Sequence, residues 1–187
     1  MNAGVGSAEP MKNTAPLELF HEWVEGPEVA LATATPEGRP SVRMVLLKSA
    51  DEHGFTFFTG YESRKGRELE SNPHAALLFR SPDRQVRVEG HVERIPPDES
   101  DAYWDTRPPA SRRSAAASRQ SQPLGSRAEL ESAVAAQPLD PPRPPQWGGY
   151  RLTPDSYEFW LHRDDRLHER HLFRRREGGW QVLLLQP

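Results

Sequence analysis

The chain has 187 residues, 35 % of them hydrophobic, and its 24 basic and 27 acidic side chains leave a net charge of −3. That length suits one domain with short appendages, and the small negative charge gives no bulk attraction to nucleic acid or to an acidic membrane surface. There is no cysteine, which excludes disulfides and thiolate metal sites, and no apolar run approaches the length of a membrane span. The expectation is a cytoplasmic enzyme or binding protein whose sparse core is completed in part by a second chain.

Residues 1–16 lack the apolar centre of a secretory signal and are expected to form a flexible N-terminal arm ahead of a single domain over 17–187. Leu17, Phe20 and Val24 stand at helical spacing, and Gly26-Pro27 ends that helix. Strands are expected over 29–35 and 42–48, joined by the turn Pro36-Glu37-Gly38-Arg39-Pro40, and then over 55–59. Ser63 caps a helix over 64–71 that Asn72-Pro73 stops, and 75–79 is an apolar strand. Residues 85–95 alternate, with Val86, Val88, Gly90 and Val92 on one face and Arg87, Glu89, His91 and Glu93 on the other, the pattern of a half-buried antiparallel strand. A helix opens at Pro97 and carries Tyr103, Trp104 and Arg107. The segment 108–122 reads as a polar loop, 127–136 as a helix capped by Ser126, and 138–145 as a proline-rich connector. Final strands are expected over 149–152, 156–161 and 180–185. Short strands, turns and a few helices imply a mainly β fold, an antiparallel sheet or barrel with helical additions.

Several constellations could carry chemistry. Arg43-Met44-Val45-Leu46-Leu47-Lys48 sets a cation at each end of an apolar strand, which suits a flat ring with anions beyond it, and equally suits an ordinary core strand with solvated ends. Ser63-Arg64-Lys65 places two cations at a helix N-terminus, where a dianion would relieve their repulsion; a solvated basic first turn fits as well. Tyr103 and Arg107, four apart, and Ser111 could cradle a second phosphate or simply end a surface helix. Gln120-Ser121 offers neutral hydrogen-bonding groups. If residues 166–170 are extended, Arg166, His168 and Arg170 share one face, and three cationic or titratable groups there invite an anion. No metal site is expected, because no carboxylate cluster or cysteine completes a set around His162, His168 and His171.

Taken together and in this order, the segments RMVLLK (43–48), FFTGYESRKGREL (57–69), NPHAALLF (72–79), RQVRVEGHVERI (84–95), SDAYWDTRP (100–108), SRQSQPLGSRAEL (118–130), WGGYRL (147–152), EFW (158–160) and RLHER (166–170) resemble the pyridoxamine 5′-phosphate oxidase family over roughly residues 28–187. The resemblance implies an FMN-binding split antiparallel β-barrel that forms a homodimer through a C-terminal segment at about 147–187, with FMN in the interface touching both chains. It implies FMN contacts from Arg43, Met44, Val45, Leu46, Leu47, Lys48, Phe58, Thr59, Ser63, Arg64, Lys65, Gln85, Gln120, Ser121, Trp160 and Arg170. A phosphorylated substrate would meet Lys48, Tyr103, Arg107 and Ser111, and Arg166 and His168 would be the catalytic pair that positions its ring. The implied reaction oxidises pyridoxamine or pyridoxine 5′-phosphate, with dioxygen reduced to hydrogen peroxide.

Three features depart from the family pattern. Residues 1–16 show no Arg-x-x-Tyr segment, 112–116 read Arg-Arg-Ser-Ala-Ala without a tryptophan, and Leu161 with His162-Arg163-Asp164-Asp165 replaces the usual sequence after EFW. These departures leave room for a related oxidase acting on a phenazine-type precursor, and a flavin carrier without turnover stands as a third alternative.

Overall fold

The computed structural model describes residues 15–187, so the expected N-terminal arm lies outside the described residues except for Ala15 and Pro16. Pro16 opens helix α1 (Pro16–Trp23), its fixed φ suiting the first helical turn. Strands β1 (Glu28–Ala34), β2 (Pro40–Asp51) and β3 (Gly54–Gly60) follow, then α2 (Arg64–Ser71), β4 (His74–Arg80) and β5 (Arg84–Arg94). Helices α3 (Pro97–Thr106), α4 (Pro109–Ala117) and α5 (Arg127–Ala135) precede β6 (Trp147–Leu161), β7 (Glu169–Arg176) and β8 (Gly179–Leu184).

All strand pairings are antiparallel, in the order β3-β2-β1-β4-β5-β6-β7-β8, and an added β3–β6 pairing closes the first six strands into a barrel. Strand β6 makes this possible. Its first half pairs with β3, Trp147 opposite Gly60 through Leu152 opposite Phe55, while its second half, still paired with β5, takes β7 on its other edge. The inward residues of β1, β4, β5 and β6, among them Val29, Leu31, Leu77, Val86, Val88, Leu152 and Phe159, are almost wholly buried. Helix α1 adds Leu19, Phe20 and Trp23 to that core, with Phe20 edge-on to Phe55 and Phe79 at 4.9 Å. Burying each such side chain stabilises the fold by ~2 kcal/mol before conformational entropy is charged.

Three elements differ from the expectation. The strands expected over 149–152 and 156–161 are one strand, because β6 carries Asp155 as an extra, bulged residue between Pro154 and Ser156, which face the consecutive Gly90 and Glu89 of β5. The segment expected as a polar loop contains α4, with Pro109 in its first turn and a run of alanine, serine and arginine behind it. Strand β7 was not expected at all. Its buried His171, Leu172 and Phe173 are hidden in the sequence between Arg170 and Arg174-Arg175-Arg176.

Candidate active site

Ser63 leaves β3 in an extended conformation, and its Oγ accepts the Gly66 N–H at 3.2 Å, so helix α2 starts directly after it. Gly66 is required there, because a Cβ would lie 2.0 Å from the Tyr61 carbonyl oxygen. The neighbouring Lys65 turns inward and is only 7 % exposed. Its Nζ donates to Thr59 Oγ1 at 3.0 Å, Gln120 Oε1 at 3.2 Å and Ser63 Oγ at 3.5 Å. All three acceptors are neutral, and no described carboxylate forms an ion pair with it. Burial, with the nearby Arg43 charge, lowers its pKa to about 8. Arg64 takes the opposite course, pointing outward to pair with Glu68 at 2.9 Å.

A cavity of about 860 Å³ opens over Lys65. The outer face of β2 supplies Met44, Leu46 and Lys48, and β3 supplies Phe58 and Thr59. Phe58, Tyr103 and Trp147 lie nearly parallel, Phe58 and Tyr103 with centroids 3.9 Å apart. Arg107 caps the C-terminus of α3 in an extended conformation and lies over Trp147 at 4.5 Å and Trp104 at 5.2 Å. Its Nη1 is buried without a hydrogen-bond partner, and burial lowers its pKa. The remaining wall includes Ser111, Ser114, Ala115 and Ser118 of α4 and its C-cap, all small, so the cavity is broad there. Four cations (Lys48, Lys65, Arg107 and Arg119) line it against one carboxylate, Glu62. Such a space is chemically suited to a flat ring on an apolar strand and to anions at Lys65 and Arg107.

Of the expected residues, Met44, Val45, Leu46, Lys48, Phe58, Thr59, Ser63, Lys65, Tyr103, Arg107, Ser111 and Gln120 all line this cavity. Leu47 packs against the core instead, and Arg43 donates to Thr33 Oγ1 at 2.6 Å, to the Leu31 carbonyl and to Glu68. Ser121 follows Gln120 with φ 71° and does not line the cavity. A second group gathers elsewhere: Gln85 opposite Trp160 and Trp160 opposite Arg170 form a row across β5, β6 and β7. Arg170 is held by Glu158 at 2.7 Å, and the His168 ring lies 4.6 Å from Trp160. Arg166 does not share a strand face with these groups, because β7 begins only at Glu169 and Arg166 sits in a turn with φ 65°. None of Gln85, Trp160, Arg166, His168 and Arg170 lines the cavity of the same chain.

The sequence reasoning missed Trp147, which shelves Arg107, and the small face of α4. The spacing of Ser111, Ser114, Ala115 and Ser118 carries that face, once the segment is read as helical. It also missed the Glu68 cluster, where a buried carboxylate accepts from Ser41 at 2.6 Å, from Thr33, and from Arg43 and Arg64. Burial alone would raise the Glu68 pKa, but those four donors outweigh it and hold the pKa at about 2.

A six-stranded closed barrel with a cation-lined cavity on its outer face defines a split-barrel fold, and the same fold is found in a pyridoxamine 5′-phosphate oxidase-related, FMN-binding protein from Nostoc punctiforme (TM-score 0.73, 21 % identity, 99 % of this chain and 100 % of that one). Residues 17–136 match the family described as pyridoxamine 5′-phosphate oxidase, and 147–187 match the pyridoxine 5′-phosphate oxidase C-terminal dimerisation region. The chain belongs to the pyridoxamine 5′-phosphate oxidase family and is an enzyme of this FMN-dependent oxidase class. Relatives named pyridoxine/pyridoxamine 5′-phosphate oxidase include one from Rubrobacter xylanophilus, 48 % identical over 97 % of this chain and 91 % of its own length. Another, from Anaeromyxobacter dehalogenans, is 57 % identical over 84 % and 83 %. PhzG from Burkholderia lata, solved in complex with tetrahydrophenazine-1-carboxylic acid, superposes with a TM-score of 0.89 at 34 % identity, covering 98 % of both chains.

Proposed function

We propose that the chain oxidises pyridoxamine or pyridoxine 5′-phosphate to pyridoxal 5′-phosphate, using FMN and reducing dioxygen to hydrogen peroxide. The observation that carries this reading is Lys65, a buried cation among three neutral oxygens at a helix N-terminus, which is the environment a phosphate dianion completes. The residues present fit FMN: Lys65, Ser63, Thr59 and Gln120 would hold its phosphate, and Met44 and Leu46 would flank its ring. When bound, FMN supplies the acceptor for a hydride from the substrate and passes the electrons on to dioxygen.

The chain's own residues bind and orient the substrate. Arg107, with one nitrogen still unpartnered, takes the substrate phosphate together with Lys48, Tyr103 and Ser111. Anchoring that remote group holds the reacting carbon in place. We further propose that the active unit is a homodimer in which Gln85, Trp160, Arg166, His168 and Arg170 act on the cavity of the second copy. Their absence from the cavity of their own chain supports this, as does the match of 147–187 to a dimerisation region.

A second reading is favoured by the broad α4 wall and by the likeness to PhzG: a substrate wider than a single pyridine ring, such as a dihydrogenated phenazine-type precursor. Purified protein should show a flavin spectrum that bleaches when pyridoxamine 5′-phosphate is added without oxygen. On admitting air it should release peroxide. Bleaching by a tricyclic dihydro-aromatic acid but not by the vitamer would transfer the assignment to the second reading. Bound flavin that neither compound reduces would reject both.

A further inference from the structure

The turn between β6 and β7 holds two of the residues assigned to the substrate, and a third residue, Arg163, organises it. The Arg163 backbone N–H donates to His168 Nδ1 at 3.1 Å, and its carbonyl accepts the Arg166 N–H at 3.1 Å. Its guanidinium spans two carboxylates, Asp165 at 3.2 Å and Glu169 at 3.2 Å. Asp165 in turn accepts the Leu167 N–H at 3.0 Å. The turn is tied to the barrel where the His162 N–H donates to the Asp83 carbonyl at 2.7 Å. One side chain and its own backbone thus bind the middle and both ends of the turn.

Two consequences follow for the residues that face substrate. Arg166 is a non-glycine residue at φ 65°, a conformation that costs about 1 kcal/mol or more and persists where surrounding contacts impose it. The contacts imposing it are those of Arg163 and Asp165. In neutral His168, an Nδ1 that accepts a backbone N–H carries no proton, so the ring hydrogen resides on Nε2. The Trp160 ring at 4.6 Å and the His162 ring at 5.3 Å restrict the imidazole from the sides.

We propose that Arg163 is a positioning residue, clamping the β6–β7 turn so that His168 meets the substrate as an Nε2–H donor with Arg166 held beside it. This rests on the assignment of Arg166 and His168 to the substrate, and its test separates the two. In the flavin-loaded dimer, long-range proton–nitrogen NMR correlations should show His168 of the unaltered enzyme as the Nε2–H tautomer. Arg163→Ala keeps the backbone N–H but removes both ion pairs, so the loosened turn should let the ring drift from that N–H into a tautomer mixture and lower kcat/KM roughly tenfold, with the flavin spectrum and melting temperature nearly unchanged. Asp165→Ala should do the same from the other end of the clamp, and Arg163→Lys, which keeps one ion pair, should recover part of the loss. An Nδ1–H tautomer in the unaltered enzyme, or a tautomer unmoved in both alanine variants, overturns the proposal. If the tautomer responds as expected while the enzyme turns over no phosphorylated vitamer, the clamp stands and the substrate assignment falls.

Discussion

At the scale of single residues, Lys65 and Glu68 are buried charges three apart on one helix with opposite consequences. For Lys65 the folded pKa of about 8 lies below its ordinary 10.5, so its buried charge opposes folding fully below pH 8, and the penalty fades as the pH rises toward 10.5. Lys65→Met should therefore stabilise the flavin-free protein, by on the order of 2 kcal/mol at pH 7, while weakening FMN binding some 30-fold or more. Thermal melts and flavin titration check the two signs; a variant that is destabilised without ligand would remove the case for a phosphate site. Unaltered protein should also bind FMN less tightly as the pH rises through about 8, since binding then requires taking up a proton. Riboflavin, which has no phosphate, is the control and should show a far smaller slope. Glu68 behaves the other way. Its folded pKa of about 2 lies below the ordinary 4.5, so its stabilisation is complete above 4.5 and is lost as the pH falls toward 2. Glu68→Gln should cost about 3 kcal/mol at pH 7, and the difference from unaltered protein in denaturant unfolding should shrink steadily below pH 4.5.

At the scale of elements, legibility in the sequence followed how strongly burial imprints a pattern. Strand β5, with Val86, Val88 and Val92 turned into the barrel, could be read from alternation alone, and Ser63 marked the start of α2 by its capping chemistry. Helix α4 has no buried residue, so it carries no apolar stripe, and its serines and arginines looked like a loop. Strand β6 was read as two because Pro154-Asp155 breaks the apolar pattern, while the ladder to β5 continues past it. What the local sequence could not disclose was the full set of Lys65's partners, since Gln120 lies 55 residues away and joins Thr59 and Ser63 only in the folded chain. What α4 brings to the cavity is its small face, and under the second proposed reading that face sets the width of the site. Ala115→Trp would fill part of the broad wall. It should reduce kcat/KM for a tricyclic substrate at least tenfold, the steric cost of an overfilled pocket being ~1–3 kcal/mol, and leave a phosphorylated pyridine much less affected. Equal losses on both substrates would show that this face does not set the width of the site.

At the scale of the whole molecule, the outer face of β2 presents Val42, Met44 and Leu46 at 69, 63 and 49 % exposure, a row of apolar side chains ending at Lys48. Met44 and Leu46 line the cavity, but Val42 does not, so cofactor binding in one chain gives no reason for an apolar residue there. A second copy covering the row does. In the proposed homodimer the same contact would bring the Gln85–Trp160–Arg170 row, which does not line the cavity of its own chain, to the cavity of the second copy. Val42→Glu separates the alternatives because it leaves every cavity residue in place. On a free surface such a change alters stability by about 0.5 kcal/mol or less. In the interface of a homodimer it sets a carboxylate into an apolar contact, and the interface's two-fold symmetry repeats the charge. The variant is therefore expected to sediment as a monomer at concentrations where unaltered protein is a dimer. It should lose most of its bound flavin on gel filtration, because each flavin would then be missing the contacts from the other chain. A Val42→Glu protein that remains dimeric with full flavin content would place the interface elsewhere and detach Trp160 and Arg170 from the cofactor.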